Sequence, residues 1–237
     1  MKLFNLFNYK NPITVDIHSH LLPGIDDGVR TIEESVAIIK KFKLLGYSKL
    51  ITTPHVISDL YPNNIDIISK KLHEVEDALK KENIDISIEA SAEYYVDIDF
   101  LKLIDNDDLM PFMGNYILFE TAYNFKPMIL EQVIYSLQAK GYIPVLAHPE
   151  RYRYLHNDMN LYKELKAEGV LFQVNIKSLQ NKSKTIYKIA SKLIKLGLVD
   201  FMGSDVHKMH DIVKLEKTLQ SSAYKNAIKN NTLLNNQ

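Results

Sequence analysis

Cysteine is absent from the 237 residues. That excludes a disulfide framework, a thiolate zinc site and a cysteine nucleophile, and it fits a cytoplasmic protein. Net charge is absent too. Lys+Arg and Asp+Glu each total 29, so no long-range field favours nucleic acid or an anionic membrane surface. Arginine is scarce: Arg30, Arg151 and Arg153 stand against 26 lysines. No internal repeat or linker-like stretch breaks the chain, and a 46% hydrophobic, 24% charged composition is ordinary for a globular protein. One domain over 1–237 is therefore expected. Residues 1–12 are apolar but interrupted by Asn, lack a small-residue cleavage site and are too short for a signal peptide or a span. They read as a segment covering one end of the core, with no stable membrane insertion. The polar tail 226–237 reads as partly frayed.

What is present is an alternation of short apolar strands with amphipathic helices. Strands are expected near Ile13–Ile17, Lys49–Thr53, Ile84–Glu89, Tyr116–Phe119, Ile143–Ala147, Val170–Asn175 and Leu198–Met202. Between them lie helical patterns, the first opened by Thr31 with Glu34 three residues on, a capping box. Another runs from Pro127 to Lys140, and the last starts near Asp211. Strand–helix alternation with strands apolar on both faces argues for an α/β fold built on a parallel sheet.

The reactive residues sit where six of the seven strands end. His18 and His20 follow the first strand, and their i, i+2 spacing turns both to one side if extended geometry persists. Asp26 and Asp27 come next, then His55, Glu93, Glu120, His148, and Asp205 with His207. The C-terminal rim of a parallel sheet is where function collects. Five of the eight histidines are in this set; His73, His156 and His210 fall on helices or loops and read as exposed or weakly packed. Several carboxylates buried together would repel unless cations lay between them. Nitrogen and oxygen donors without sulfur suit manganese, zinc or iron. So many donors exceed one tetrahedral zinc, and two or three ions fit better. Ions about 4 Å apart activate water and brace an in-line displacement, which points to phosphate-ester hydrolysis. Arg151 is the phosphate clamp on this reading, because a guanidinium grips phosphate bidentately. An ion pair with Glu150 or a neighbouring acid is the alternative.

With these residues assembled, the chain resembles the polymerase and histidinol phosphatase (PHP) superfamily. Within it, the chain is similar to the bacterial metal-dependent protein-tyrosine phosphatases of capsule and exopolysaccharide operons, the CpsB/YwqE type. The matching pieces are Asp16-Ile17-His18-Ser19-His20, Leu22-Pro23-Gly24-Ile25-Asp26-Asp27-Gly28 and Thr53-Pro54-His55. Glu93, Glu120, Ala147-His148-Pro149-Glu150-Arg151-Tyr152 and Gly203-Ser204-Asp205-Val206-His207 complete them, from about Thr14 to His207. The resemblance implies a distorted (β/α)7 barrel of PHP type holding up to three divalent ions, commonly Mn2+. His18, His20, Glu93 and Asp205 would surround one ion; Glu93 would bridge to a second held by Glu120 and His148. His55, His207 and one of Asp26 or Asp27 would hold the third. It further implies attack on phosphorus by a metal-bound hydroxide, with Arg151 on the phosphate and Asp27 or His207 near the leaving group. The implied substrate is a tyrosine-phosphorylated protein, the tyrosine-rich tail of a bacterial kinase that the phosphatase opposes in capsule or exopolysaccharide biosynthesis.

Three other functions stay open at this point. Histidinol-phosphate phosphatase shares the superfamily and the metals. A phosphoesterase acting on nucleic acid is disfavoured by the neutral charge. From another class comes a non-catalytic metal-binding partner of a polysaccharide assembly complex.

Overall fold

The computed structural model describes residues 11–180 and 184–237; most of the N-terminal cover segment lies outside them. Among the described residues nine strands, all paired in parallel, form the framework: β1 (Val15–Asp16), β2 (Lys49–Thr52), β3 (His55–Val56), β4 (Ser87–Ala90), β5 (Glu93–Tyr95), β6 (Tyr116–Glu120), β7 (Ile143–Ala147), β8 (Leu171–Asn175) and β9 (Phe201–Gly203). β2 runs into β3 across Thr53-Pro54, and β4 into β5 across Ser91-Ala92, so the nine segments follow seven strand paths. Proline lacks a donor and interrupts the ladder at the first break. Pairing runs β1-β2-β4 and then β3-β5-β6-β7-β8-β9. The last path returns to the first: Ser19 bridges Val206 in parallel, Asp205 N–H donates to His18 O at 2.7 Å, and His20 N–H donates to Val206 O at 2.9 Å. The ring is thus a distorted seven-stranded α/β barrel.

Among the described residues eight α-helices follow in chain order: α1 (Ile32–Leu44), α2 (Ile65–Lys81), α3 (Ile98–Asp105), α4 (Leu130–Ala139), α5 (Met159–Ala167), α6 (Lys184–Lys195), α7 (Met209–Leu219) and α8 (Ser222–Asn230). α1 shows how the local sequence builds one. Thr31 Oγ1 accepts from Glu34 N, while Glu34 reaches past the cap to accept from Arg30 N at 2.8 Å. Val36, Ile39 and Phe42 then bury one stripe against the barrel. Gly46 closes the turn at φ +89°, a conformation costly for other residues. Inside the ring, Ile17, Ile51, Leu118, Val145 and Phe201 make a separate apolar cluster. Leu118 and Glu120 share a face of β6 by strand alternation, so Glu120 stands above this plug.

Several expected boundaries move. β4 starts at Ser87, not Ile84, because Asn83 turns with φ +53° and Ile84 N–H closes α2 onto Leu79 O. The helix expected from Pro127 starts at Leu130, and the last helix divides at Ser221, whose hydroxyl caps α8. The expectation of a frayed tail is overturned. Asn235 is buried, accepts from Met202 N–H at 3.0 Å and donates to Met202 O at 2.8 Å and Val15 O at 3.2 Å. Asn236 does the same for Thr14 and Pro12. An asparagine side chain carries both a donor and an acceptor. Here it fills the gap where β1 and β9 diverge, at the end of the barrel opposite the histidines.

Candidate metal centre

Backbone geometry brings the rim residues inward. Hydrogen bonding to Val206 extends the β1 path through His20, so the expected convergence of His18 and His20 is met, their Nε2 atoms lying 3.4 Å apart. His148 and Asp205 stand just beyond β7 and β9 at φ +34° and +49°. Left-handed backbone costs a non-glycine residue about 1–2 kcal/mol, and at both positions it turns a donor side chain into the pocket.

Glu93 lies at the middle. Its Oε2 is 3.2 Å from His18 Nε2, 3.4 Å from His20 Nε2 and 3.2 Å from His55 Nδ1, and its Oε1 is 2.9 Å from His148 Nε2. Glu120 Oε1 sits 3.2 Å from His55 Nδ1. Asp205 Oδ1 is 3.2 Å from His207 Nδ1 and 3.8 Å from His20 Nε2. Four overlapping sets each place their donor atoms within 4.8 Å of one another: His20-Asp27-His55-His207, His18-His20-Asp205, His18-Glu93-His148 and His55-Glu93-Glu120. Every residue of the expected ligand set belongs to at least one. His73, His156 and His210 bond elsewhere, to Ser69 O, Glu150 O and Asp211.

The two aspartates separate. Asp26 turns its Oδ2 to His20 Nδ1 at 2.7 Å and its Oδ1 to Gly28 N at 2.9 Å. Asp27 keeps half its side chain exposed, with Oδ1 3.3 Å from His207 Nε2 and 3.5 Å from His55 Nε2. Arg151 does not pair with Glu150. That carboxylate faces away, accepting from Asn175 N–H and Ser178 Oγ, and burial pushes its pKa up to about 7. Arg151 instead lies 4.8 Å over the Tyr123 ring, its Nη1 3.4 Å from Asp205 Oδ2. The neighbouring-acid form of the alternative is therefore present as a long contact, and a third of the side chain still faces the mouth.

A strand the sequence left bare holds the centre from behind. β8 and the turn after it supply Gln173, Asn175 and Lys177. Gln173 Oε1 accepts from His18 Nδ1 at 2.7 Å, and its amide donates to Asn175 Oδ1. Asn175 Nδ2 and Lys177 Nζ reach Asp205 Oδ2 at 2.6 and 3.1 Å. A period-two polar run at the end of an apolar strand was the available signal. Asp16 was also missed as a support: buried, with its pKa raised by burial to about 7, it accepts from the Ser204 N–H and hydroxyl and ties β1 to the β9 loop.

These bonds test whether cations fit. His18 donates Nδ1–H to Gln173 and His20 donates Nδ1–H to Asp26, so in their neutral forms the two facing Nε2 atoms carry bare lone pairs. Carboxylate oxygens point at the same place. His55 Nδ1 is buried without a hydrogen bond. Acceptors facing acceptors are satisfied by a cation. Where no cation balances it, the acidic field draws protons onto the imidazoles instead. Burial alone would lower His55 and His207, yet Glu93 and Glu120 hold the first up near 9, and Asp205 with Asp27 hold the second near 10. Glu93 and Asp205 resist the upward push of burial and stay well below the carboxylate range, His18 and Lys177 respectively being the largest opposing charges. The nitrogen and oxygen donors fit divalent ions.

A parallel β/α barrel with imidazoles and carboxylates gathered on its C-terminal rim defines the class, a barrel built around a candidate metal centre. The chain belongs to the capsular polysaccharide synthesis family CpsB/CapC, whose family model matches residues 14–230. It is 30% identical over 202 residues to the tyrosine-protein phosphatase YwqE of Bacillus subtilis, covering 82% of this chain and 78% of the relative. It is 28% identical over 203 residues to the tyrosine-protein phosphatase CpsB of Streptococcus agalactiae, covering 82% and 83%. Among solved structures, a chain from work on YwqE of Bacillus subtilis and CpsB of Streptococcus pneumoniae, described as metal-dependent tyrosine phosphatases, superposes with a TM-score of 0.79. It is 28% identical, and the match covers 93% of this chain and 96% of that one. An amidohydrolase from Mycoplasma synoviae shares the fold, with a TM-score of 0.52 at 12% identity and coverage of 91% and 84%.

Proposed function

We propose that this protein is a metal-dependent tyrosine-protein phosphatase that hydrolyses phosphate monoesters. The observation that carries the reading is the convergence of five histidines and four carboxylates, Glu93 at their centre, with Arg151 at the mouth. His18, His20, His55, Glu93, Glu120, His148, Asp205, His207 and Asp27 are the proposed metal-holding set, and Mn2+ is the proposed metal. Two or three ions, when bound, supply an activated water and neutralise charge on the reacting phosphoryl group.

The chain's own residues do the rest. Arg151 offers its guanidinium fork to the phosphoryl oxygens, held in place by the Tyr123 ring beneath it and by Asp205. Asp205 Oδ2 is occupied by Asn175 and Lys177, which leaves Oδ1 for the pocket. Asp26 and Gln173 fix the tautomers of His20 and His18. Asp27 and His207 lie at the exposed edge, where a leaving phenolic oxygen would depart. A tyrosine phenol has a pKa of about 10, a fair leaving group, so a proton delivered from this edge assists without carrying the reaction.

The proposed substrate is a tyrosine-phosphorylated protein, a bacterial kinase tail in capsule or exopolysaccharide synthesis, acted on in the cytoplasm. Among the described residues no helix is long and apolar enough to cross a membrane. The deciding experiment compares phosphotyrosine peptide, histidinol phosphate and a 3′-ended oligonucleotide, each with manganese and with chelator. Manganese-dependent turnover of the phosphotyrosine peptide is expected to dominate. Preference for histidinol phosphate would overturn the assignment, and inactivity on all three after metal loading would favour a metal-binding partner protein.

A further inference from the structure

A groove of about 580 Å³ opens directly from Arg151, walled by Tyr123, Asn124, Arg153 and His156. Two of the chain's three arginines face it, and no carboxylate lines it among the described residues. Arg153 is exposed and has no acid within ion-pair distance among the described residues; its Nη1 rests on Asn124 Oδ1 at 3.4 Å. Elsewhere surface lysines find acids, as in Lys102 with Asp99 and Lys71 with Glu74. The backbone beneath Arg153 is anchored, since its N–H donates to Tyr123 O at 2.7 Å. His156 Nε2 donates to Glu150 O at 2.9 Å, which holds the following turn.

A second groove is different. The groove past Gly28 carries Arg30 and Lys208, but Glu33 and Glu34 line it with them. Lys177 is committed to Asp205. Uncompensated positive charge at the mouth is therefore concentrated on the Arg153 side. A peptide whose phosphate sits on Arg151 has its neighbours within reach, because extended chain advances about 3.3 Å per residue.

We propose that this groove is a substrate subsite for a carboxylate side chain flanking the phosphotyrosine, with Arg153 as its cationic contact. The proposal rests on the phosphatase reading given above. It makes the enzyme selective for phosphotyrosine in an acidic context, through binding and not through the chemical step.

The test uses two phosphotyrosine peptides that differ only in flanking glutamates replaced by glutamines, assayed with manganese at low ionic strength. The wild-type kcat/KM is expected to favour the glutamate peptide by about three- to tenfold, in KM, the range of a partly exposed charge-assisted contact. Raising salt should shrink that ratio. Arg153→Ala should bring the ratio to about one and R153E should invert it, while R153K keeps part of it. A ratio cancels any general loss of activity in a variant. Equal wild-type turnover of both peptides would overturn the subsite and leave the phosphatase reading standing. An undiminished preference in Arg153→Ala would overturn the role of Arg153. No turnover of either peptide would bring down both.

Discussion

The Asp26 side chain is buried with its carboxylate on His20, whereas Asp27 keeps 53% of its side chain in solvent and faces two imidazoles. The two are adjacent and chemically identical, so only burial and direction distinguish them. Removing the buried one should loosen the centre without touching a proposed phosphate contact. Asp26→Ala is expected to weaken manganese binding about 10–100-fold, measured by calorimetric titration of the chelated protein. Unchanged affinity would show that the His20 tautomer needs no support. Arg151 predicts the reverse pattern. Arg151→Ala should keep its metal content while kcat/KM falls about 10²–10³-fold, the scale of losing a charge-stabilising donor. Arg151→Lys should restore little of it, because an ammonium cannot make the paired contact. Metal loss in Arg151→Ala, read by elemental analysis, would contradict its assignment to phosphate.

Among the elements, β8 left the faintest trace of its contribution in the sequence. The other six strand paths end in histidine or a carboxylate, residue types that announce metal chemistry by themselves. β8 ends in Gln173 and Asn175, amides that carry no such signature until His18 and Asp205 are seen against them. The cap at Thr31 and the alternation of apolar strands with helices were legible because each is a local pattern. The closing contact of Ser19 with Val206 joins residues nearly two hundred positions apart and has no local trace. β8 supports a prediction of its own. Gln173→Met keeps volume but leaves a buried His18 N–H without an acceptor, a cost of about 1–3 kcal/mol. Manganese affinity should fall with it, and a variant as stable as wild type in urea would show that the β8 layer is dispensable.

At the scale of the whole molecule, the barrel is closed twice, by backbone at the rim and by asparagine side chains at the far end. Residues 226–237 looked solvated because polar composition was the only guide, yet Asn231, Asn235 and Asn236 bond to Val199, Met202, Val15, Thr14 and Pro12. Asn235→Ala strands the buried Met202 N–H and should lower unfolding stability by about 2–3 kcal/mol, read from urea melts. A shift within error would mean the tail merely lies on the barrel. Closure matters because both ends of the ring hold the same ligands in register: His18 and Asp205 stand on the first and last strand paths and meet only if the ring shuts. The central claim is that this shared pocket works only with cations in it. Its most direct test is to strip the protein with chelator, dialyse, and follow phosphotyrosine-peptide hydrolysis while Mn2+ is titrated back. No hydrolysis is expected before addition and a saturable return that needs more than one equivalent after it, whereas full activity in the metal-free protein would contradict a pocket that works only with cations.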